Sequence, residues 1–169
     1  KKAKIVIVSH LGRPNGKKNS DLSLAPIYKF LKEQLETNVY FFMGDNNEET
    51  KNKFAYLKEG EIILLENVRF FEGENKNDDN FAKKLASLGD IYINDAFSCS
   101  HREQASIHKI TKYMKESYAG PLVKKEIDAI NTIIKNKKKP VTCIIGGSKV
   151  STKINVITNL IKNVDNIII

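Results

Sequence analysis

Residues 5–8 read Ile-Val-Ile-Val, four β-branched side chains in a row, and short, nearly unbroken apolar runs return at 39–43, 61–65, 91–93 and 140–145. A run with no alternating polar position has no face to give to water, so each reads as a strand covered on both sides. Between the runs the apolar spacing becomes helical. Leu24, Ile27, Leu31 and Leu35 form one stripe, with Ser23 placed as an N-cap and Pro26 tolerated in the first turn. Glu48 and Glu49 suit the start of a second helix carrying Phe54 and Leu57, with Gly60 placed to end it. Phe81, Ala82, Leu85 and Leu88 mark a third, stopped by Gly89. Strands and helices that alternate in this way predict an α/β fold, a doubly wound parallel sheet with helices on both faces.

The basic residues are distributed unevenly over that pattern. Of 28, only three are arginine, and each follows an apolar run: Arg13 after 5–8, Arg69 after 62–65 and Arg102 beyond 91–93. Lysine would serve as a solvated surface charge, whereas arginine offers a planar, two-pronged donor that matches phosphate or carboxylate. Ligands of parallel sheets sit at the carboxyl ends of strands, where all three arginines fall, so one anion site built from three loops is expected. His10 and His101 lie beside these loops and could donate to the same anion, or could orient the loops. Gly12 permits a tight turn or a close ligand approach. The alternative is structural: arginines that pair loop carboxylates such as Glu66 or Asp95.

A net charge of +8 raises, as the alternative function, a non-catalytic anion-binding or nucleic-acid-binding basic protein. The lysines, however, alternate with Asp and Glu along helices, the dense run 137–139 sits in a connector, and no base-stacking or zinc-finger pattern accompanies it. No run approaches membrane-span length and nothing reads as a secretory leader, so a cytoplasmic globular chain is expected, with neither membrane nor nucleic-acid partner. Cys99 and Cys143 have no Cys-x-x-Cys spacing, and no His/Cys/carboxylate set has metal spacing. Cys99 with His101 and Asp95 could suggest a nucleophilic triad, but neighbours in sequence rarely have that geometry. Lys1 opens the chain and 166–169 reads as a strand interior, so a piece of something longer is expected.

Residues 119–121, Ala-Gly-Pro, punctuate the chain. Beyond them Leu122, Ile127, Ile130, Ile133 and Ile134 outline an amphipathic helix, which together with the Lys-rich run makes 121–139 a connector between a first domain, 1–120, and a second α/β block beginning at 140. There the strand at 140–145 runs directly into Gly146-Gly147-Ser148-Lys149, and Val150, Ile154, Ile157, Leu160 and Ile161 mark a helix. Two glycines, a helix N-terminus and Lys149 and Lys153 one turn apart compose a phosphate cradle. It has neither the Walker A nor the G-x-G-x-x-G spacing.

Together these segments resemble phosphoglycerate kinase. The resemblance rests on Ser9-His10-Leu11-Gly12-Arg13-Pro14, on Leu65-Glu66-Asn67-Val68-Arg69-Phe70, on Asn94-Asp95-Ala96-Phe97 through His101-Arg102 to Ala105-Ser106, on Ala119-Gly120-Pro121 with Lys125-Glu126, and on 146–151 with Lys153. It implies two Rossmann-like domains: 1–120 for 3-phosphoglycerate, without its first strand, and a second, of which 140–169 is the beginning, for ATP or ADP with Mg2+. By position, His10, Leu11, Gly12, Arg13, Arg69 and Arg102 would hold the phosphoglycerate, and Gly146, Gly147, Lys149 and Lys153 the nucleotide. Lys149 and Arg13 would serve catalysis, and the metal-binding residue would lie outside this chain. The implied reaction is reversible phosphoryl transfer from 1,3-bisphosphoglycerate to ADP in glycolysis by a monomeric enzyme, and this partial chain is expected to be inactive alone. The resemblance departs at Ser98, Cys99 and Ser100, and at Glu103-Gln104, where Glu103 brings a negative charge beside Arg102. A missing first strand, commonly central in such sheets, predicts unpaired strand edges.

Overall fold

A computed structural model describes residues 3–43, 48–135, 138–147 and 154–169. The chain divides into two compact units, Lys1–Gly120 and Pro121–Ile169.

In the first unit β1 (Ile5–Ile7), β2 (Val39–Phe42) and β3 (Ile62–Leu65) form a parallel sheet in the order β1-β3-β2. The helices α1 (Ala25–Gln34) and α2 (Glu48–Tyr56) make the two crossovers that parallel neighbours require. As the middle strand, β3 is buried along its whole length, with Ile63 and Leu64 only 2% and 1% exposed. A second parallel pair joins β4 (Ile91–Asn94) to β5 (Glu116–Ala119), with the short helix α5 (Ile110–Tyr113) on the connection between them.

The strands of this unit pair, among the described residues, as two parallel sheets, with helices between the strands as the expected α/β arrangement requires. Among the described residues β1 pairs only with β3, and β4 only with β5. Both sheets nevertheless contribute to a common core around Ile63, Leu65, Val68 and Leu85, against which Val6 of β1 and Tyr92 of β4 pack. Full coverage holds for β3 but not for β1 or β4, whose Ile5, Ile91 and Ile93 remain exposed.

Local chemistry accounts for the start of one helix and shifts that of another. α4 (Asp79–Ala86) starts where Asp78 accepts from the Phe81 amide at 2.8 Å, and it buries Ala82 and Leu85. It ends at Ala86, before the expected Gly89. α1 begins one residue later than an N-cap at Ser23 would place it, with Leu24 at the cap position. Ser23 still accepts from the Ala25 amide at 3.1 Å, but its hydroxyl also donates to Glu66 at 2.7 Å, tying the helix to the end of β3. Of the α1 stripe Leu24 is buried and Ile27 exposed.

The second unit contains α6 (Pro121–Lys135), β6 (Thr142–Ile144), α7 (Ile154–Ile161) and β7 (Asn166–Ile168), with β6 and β7 parallel. The apolar positions Ile127, Ile130 and Ile133 of α6 are exposed. The expected helix start at Val150 lies outside the described residues. Among the described residues no helix is long and apolar enough to cross a membrane.

Candidate functional site

The three arginines come together in the first unit. Arg13, Arg69 and Arg102, with Asn15, Asn75 and Gln104, line one cavity of about 250 Å³. Three guanidinium groups and three amides make up that lining, and no carboxylate does.

The loop after β3 supplies the most firmly held of them. Asn67 is completely buried. Its amide nitrogen donates to the carbonyls of Leu11 at 2.8 Å and Leu22 at 2.9 Å, and its oxygen accepts from the Arg69 amide at 3.1 Å. This caps a 3-10 turn over Val68–Phe70 that swings Arg69 inward. The loop after β1 is clamped to the same turn: the Val68 amide donates to the Ser9 carbonyl at 3.1 Å, and Gly16, at φ 78°, donates to the Arg69 carbonyl at 3.1 Å. Gly12 takes φ 63°, and a Cβ there would stand 2.7 Å from Leu22 Cδ2, so this turn requires glycine. Its carbonyl accepts from Arg69 Nη1 at 2.8 Å.

Arg69 is 6% exposed, and its Nη2 donates to Gln104 Oε1 at 3.1 Å. Among the described residues, its Nε and that of Arg102 are buried donors without a partner. Buried donors normally find partners, yet two residues that line this cavity each retain an unmet donor. Burial, and after it the charge of Arg102, lowers the Arg69 pKa; Cys99 and Glu74 oppose the shift, and Arg13 adds to it. Neither arginine is spent on Glu66, which instead accepts from the Ser23 hydroxyl and from the Leu24 and Asn67 amides.

The remaining candidates divide. His10 does not line the cavity, but it lies close enough that burial, then Arg69 and Arg102, lower its pKa, and its Nε2 is 3.8 Å from Cys99 Sγ. Leu11 and Gly12 contribute backbone carbonyls rather than cavity surface. His101 and Glu103 are both exposed and absent from the lining, so a shared donor role for His101 finds no support in the geometry. In the second unit, Gly147 has φ 116°, and a Cβ on Gly146 would meet nothing within 4 Å. Lys149 and Lys153 lie outside the described residues. No group of three or more His, Cys, Asp or Glu that could hold a metal occurs among the described residues.

Three lining residues carry no charge signal and were not read from the sequence: Asn15, Asn75 and Gln104. Asn75 ends α3 (Glu72–Asn75), a single turn. Its neighbour Glu74, 1% exposed, accepts from both the amide and the hydroxyl of Ser106 at 2.9 and 2.7 Å. Burial raises the Glu74 pKa despite those bonds and the nearby Arg69.

Comparison with known proteins adds independent information. The phosphoglycerate kinase family model matches residues 1–169. A phosphoglycerate kinase of Clostridium kluyveri is 44% identical over 169 residues, covering 99% of this chain and 42% of that protein. One of Desulforapulum autotrophicum is 46% identical, covering 100% and 43%. The structure of phosphoglycerate kinase from Coxiella burnetii superposes with a TM-score of 0.84 at 41% identity, over 98% of this chain and 41% of that one. That from Pyrococcus horikoshii gives 0.82 at 29% identity. The chain thus spans about 42% of the length of the curated relatives it matches.

Proposed function

The chain belongs to the phosphoglycerate kinase family, and on that premise we propose that it serves reversible phosphoryl transfer between 1,3-bisphosphoglycerate and ADP, with residues 1–120 as the phosphoglycerate-binding part. The observation that carries this reading is the cavity lined by Arg13, Arg69 and Arg102 with no carboxylate among its walls. Such a surplus of positive charge favours a small, highly charged anion, and the volume suits a metabolite rather than a macromolecule. His10, Leu11 and Gly12 shape the loop that presents Arg13 and receives Arg69.

In the transfer, an oxygen of the ADP β-phosphate attacks the acyl phosphorus, the bond from phosphorus to the acyl oxygen breaks, and the carboxylate of 3-phosphoglycerate leaves with that electron pair. Arg13 and Lys149 would neutralise charge on the oxygens of the migrating group. Gly146 and Gly147 suit a nucleotide phosphate, since the space beside Gly146 is open and the backbone turns at Gly147. Lys153 would meet the nucleotide phosphates. Mg2+ would arrive with the nucleotide and neutralise its phosphate charge. The second Rossmann-like domain is represented by 140–169 and joined through 121–139. The reading includes a cytoplasmic monomer, and a chain of this extent that does not turn over alone.

The test is calorimetric. 3-Phosphoglycerate should bind the 169-residue chain, and Arg69→Lys, Arg102→Lys and Arg13→Lys should each weaken it, by about tenfold for the buried Arg69. Unchanged affinity in all three variants would refute the site. ATP formation from ADP and 1,3-bisphosphoglycerate by the isolated chain would refute its inactivity.

A further inference from the structure

Arg69 faces a conflict. It must be fixed in the cavity wall, yet its charge must stay available. A carboxylate partner would hold it and cancel the charge; water would leave it loose. We propose that Gln104 is the positioning residue that resolves this: a neutral amide that locks the Arg69 guanidinium without neutralising it. The inference rests on reading the cavity as an anion site.

Gln104 is 8% exposed, and both ends of its amide are engaged. Oε1 accepts from Arg69 Nη2 at 3.1 Å, and Nε2 donates to Asn75 Oδ1 at 2.7 Å. The orientation is forced, because guanidinium has only donors and so must face the amide oxygen. The backbone is held too: the Gln104 carbonyl accepts from the amides of Ile107 at 3.0 Å and His108 at 2.7 Å. Glu74, adjacent to Asn75, binds Ser106, two residues beyond Gln104, so α3 and the 104–106 segment are joined at two places. Glu74, the buried carboxylate near Arg69, is thereby committed to Ser106. With Nη1 on the Gly12 carbonyl and Nη2 on Gln104, both fork ends of Arg69 rest on neutral acceptors, and Nε remains unpartnered.

The test compares Gln104→Glu and Gln104→Met with the unsubstituted 169-residue chain. By nitrogen-detected NMR, Arg69 of the unsubstituted chain should show separate, slowly exchanging Nη signals. A single averaged signal would overturn the inference whether or not either variant folds. At neutral pH, Q104E should bind 3-phosphoglycerate about tenfold or more weakly, because its carboxylate pairs with Arg69. Sulfate, which remains a dianion in mild acid, then serves as the probe over a falling pH series. The Q104E deficit should shrink as the introduced carboxyl protonates, since the acid form offers a neutral acceptor to Arg69 and a donor to Asn75. The unsubstituted chain run in parallel accounts for His10 and Glu74. A deficit that persists in acid would mean structural damage alone and overturn the inference. Binding that is equal in all three chains would overturn it while leaving the anion site standing. Failure of the unsubstituted chain to bind 3-phosphoglycerate or sulfate would remove both.

Discussion

The loops that leave β3 and β4 each deliver an arginine to the same cavity, by opposite means. After β3, residues 66–70 are buried without exception, and Asn67 alone ties two other segments of backbone to its own turn. After β4, most residues through Glu103 are exposed, and the loop is anchored chiefly through buried Cys99 and the Gln104–Ala105 step. The difference follows from the strands themselves. β3 has a neighbour on each side and both faces covered, so its continuation enters an already packed interior. Among the described residues β4 has one neighbour, and Ile91 and Ile93 are exposed. One arginine is therefore set by the core and the other by contacts that the loop makes for itself, which places the second nearer the low-stability end of the molecule.

The sharpest way to break this contrast is a pair of substitutions. Asn67→Ala leaves two part-buried carbonyls and one buried amide without their partner and should cost about 3 kcal/mol. Ile93→Thr, on the exposed face of β4, should change stability by no more than about 0.5 kcal/mol. Urea midpoints measured together decide it, and comparable losses would erase the distinction. A smaller effect sharpens the account of the β4 side. Ser106→Ala removes the hydroxyl bond to Glu74 but keeps the amide bond, so about 1 kcal/mol should be lost in the same urea measurement.

The smallest effect is a slope. His10 lies where the two loops meet, and its pKa is lowered in the folded state by burial and by Arg69 and Arg102. The unfolded chain therefore binds a proton more readily, and folding stability should fall as pH drops through about 6.5, the unfolded value. Glu74 acts in the opposite sense. Its raised pKa means that protonation favours the folded chain, so lowering pH through the folded value restores stability. His10→Gln should remove only the His10 part, flattening the urea midpoint between about pH 7.5 and 5.5. An unaltered slope would mean that the imidazole does not sense the two arginines.

What could be read in advance divides along the same line. The runs at 39–43, 61–65 and 91–93 declared their strands, and the placement of Arg13, Arg69 and Arg102 after apolar runs anticipated their convergence, because parallel strands bring successive loops to one edge. β5 escaped notice because Glu116-Ser117-Tyr118-Ala119 is short, polar and exposed at every position, leaving no periodicity to detect. Asn15, Asn75 and Gln104 carry no charge, so nothing local marks them as lining residues; only the folded cavity brings them beside the arginines. Leu11 and Gly12 act through carbonyls, a use that side-chain chemistry cannot announce. The apolar continuity of β4 suggested coverage on both faces, but coverage depends on what packs against a strand rather than on the strand itself.

The outward-facing Ile5, Ile91 and Ile93 bear on handling. Among the described residues β1 and β4 each pair on one side only, and strands that carry bare isoleucine in that setting can template strands of other molecules, so self-association competes with correct assembly. Because that competing step is at least second order in protein, dilution during refolding, more than buffer composition, would govern the recovery of dispersed material.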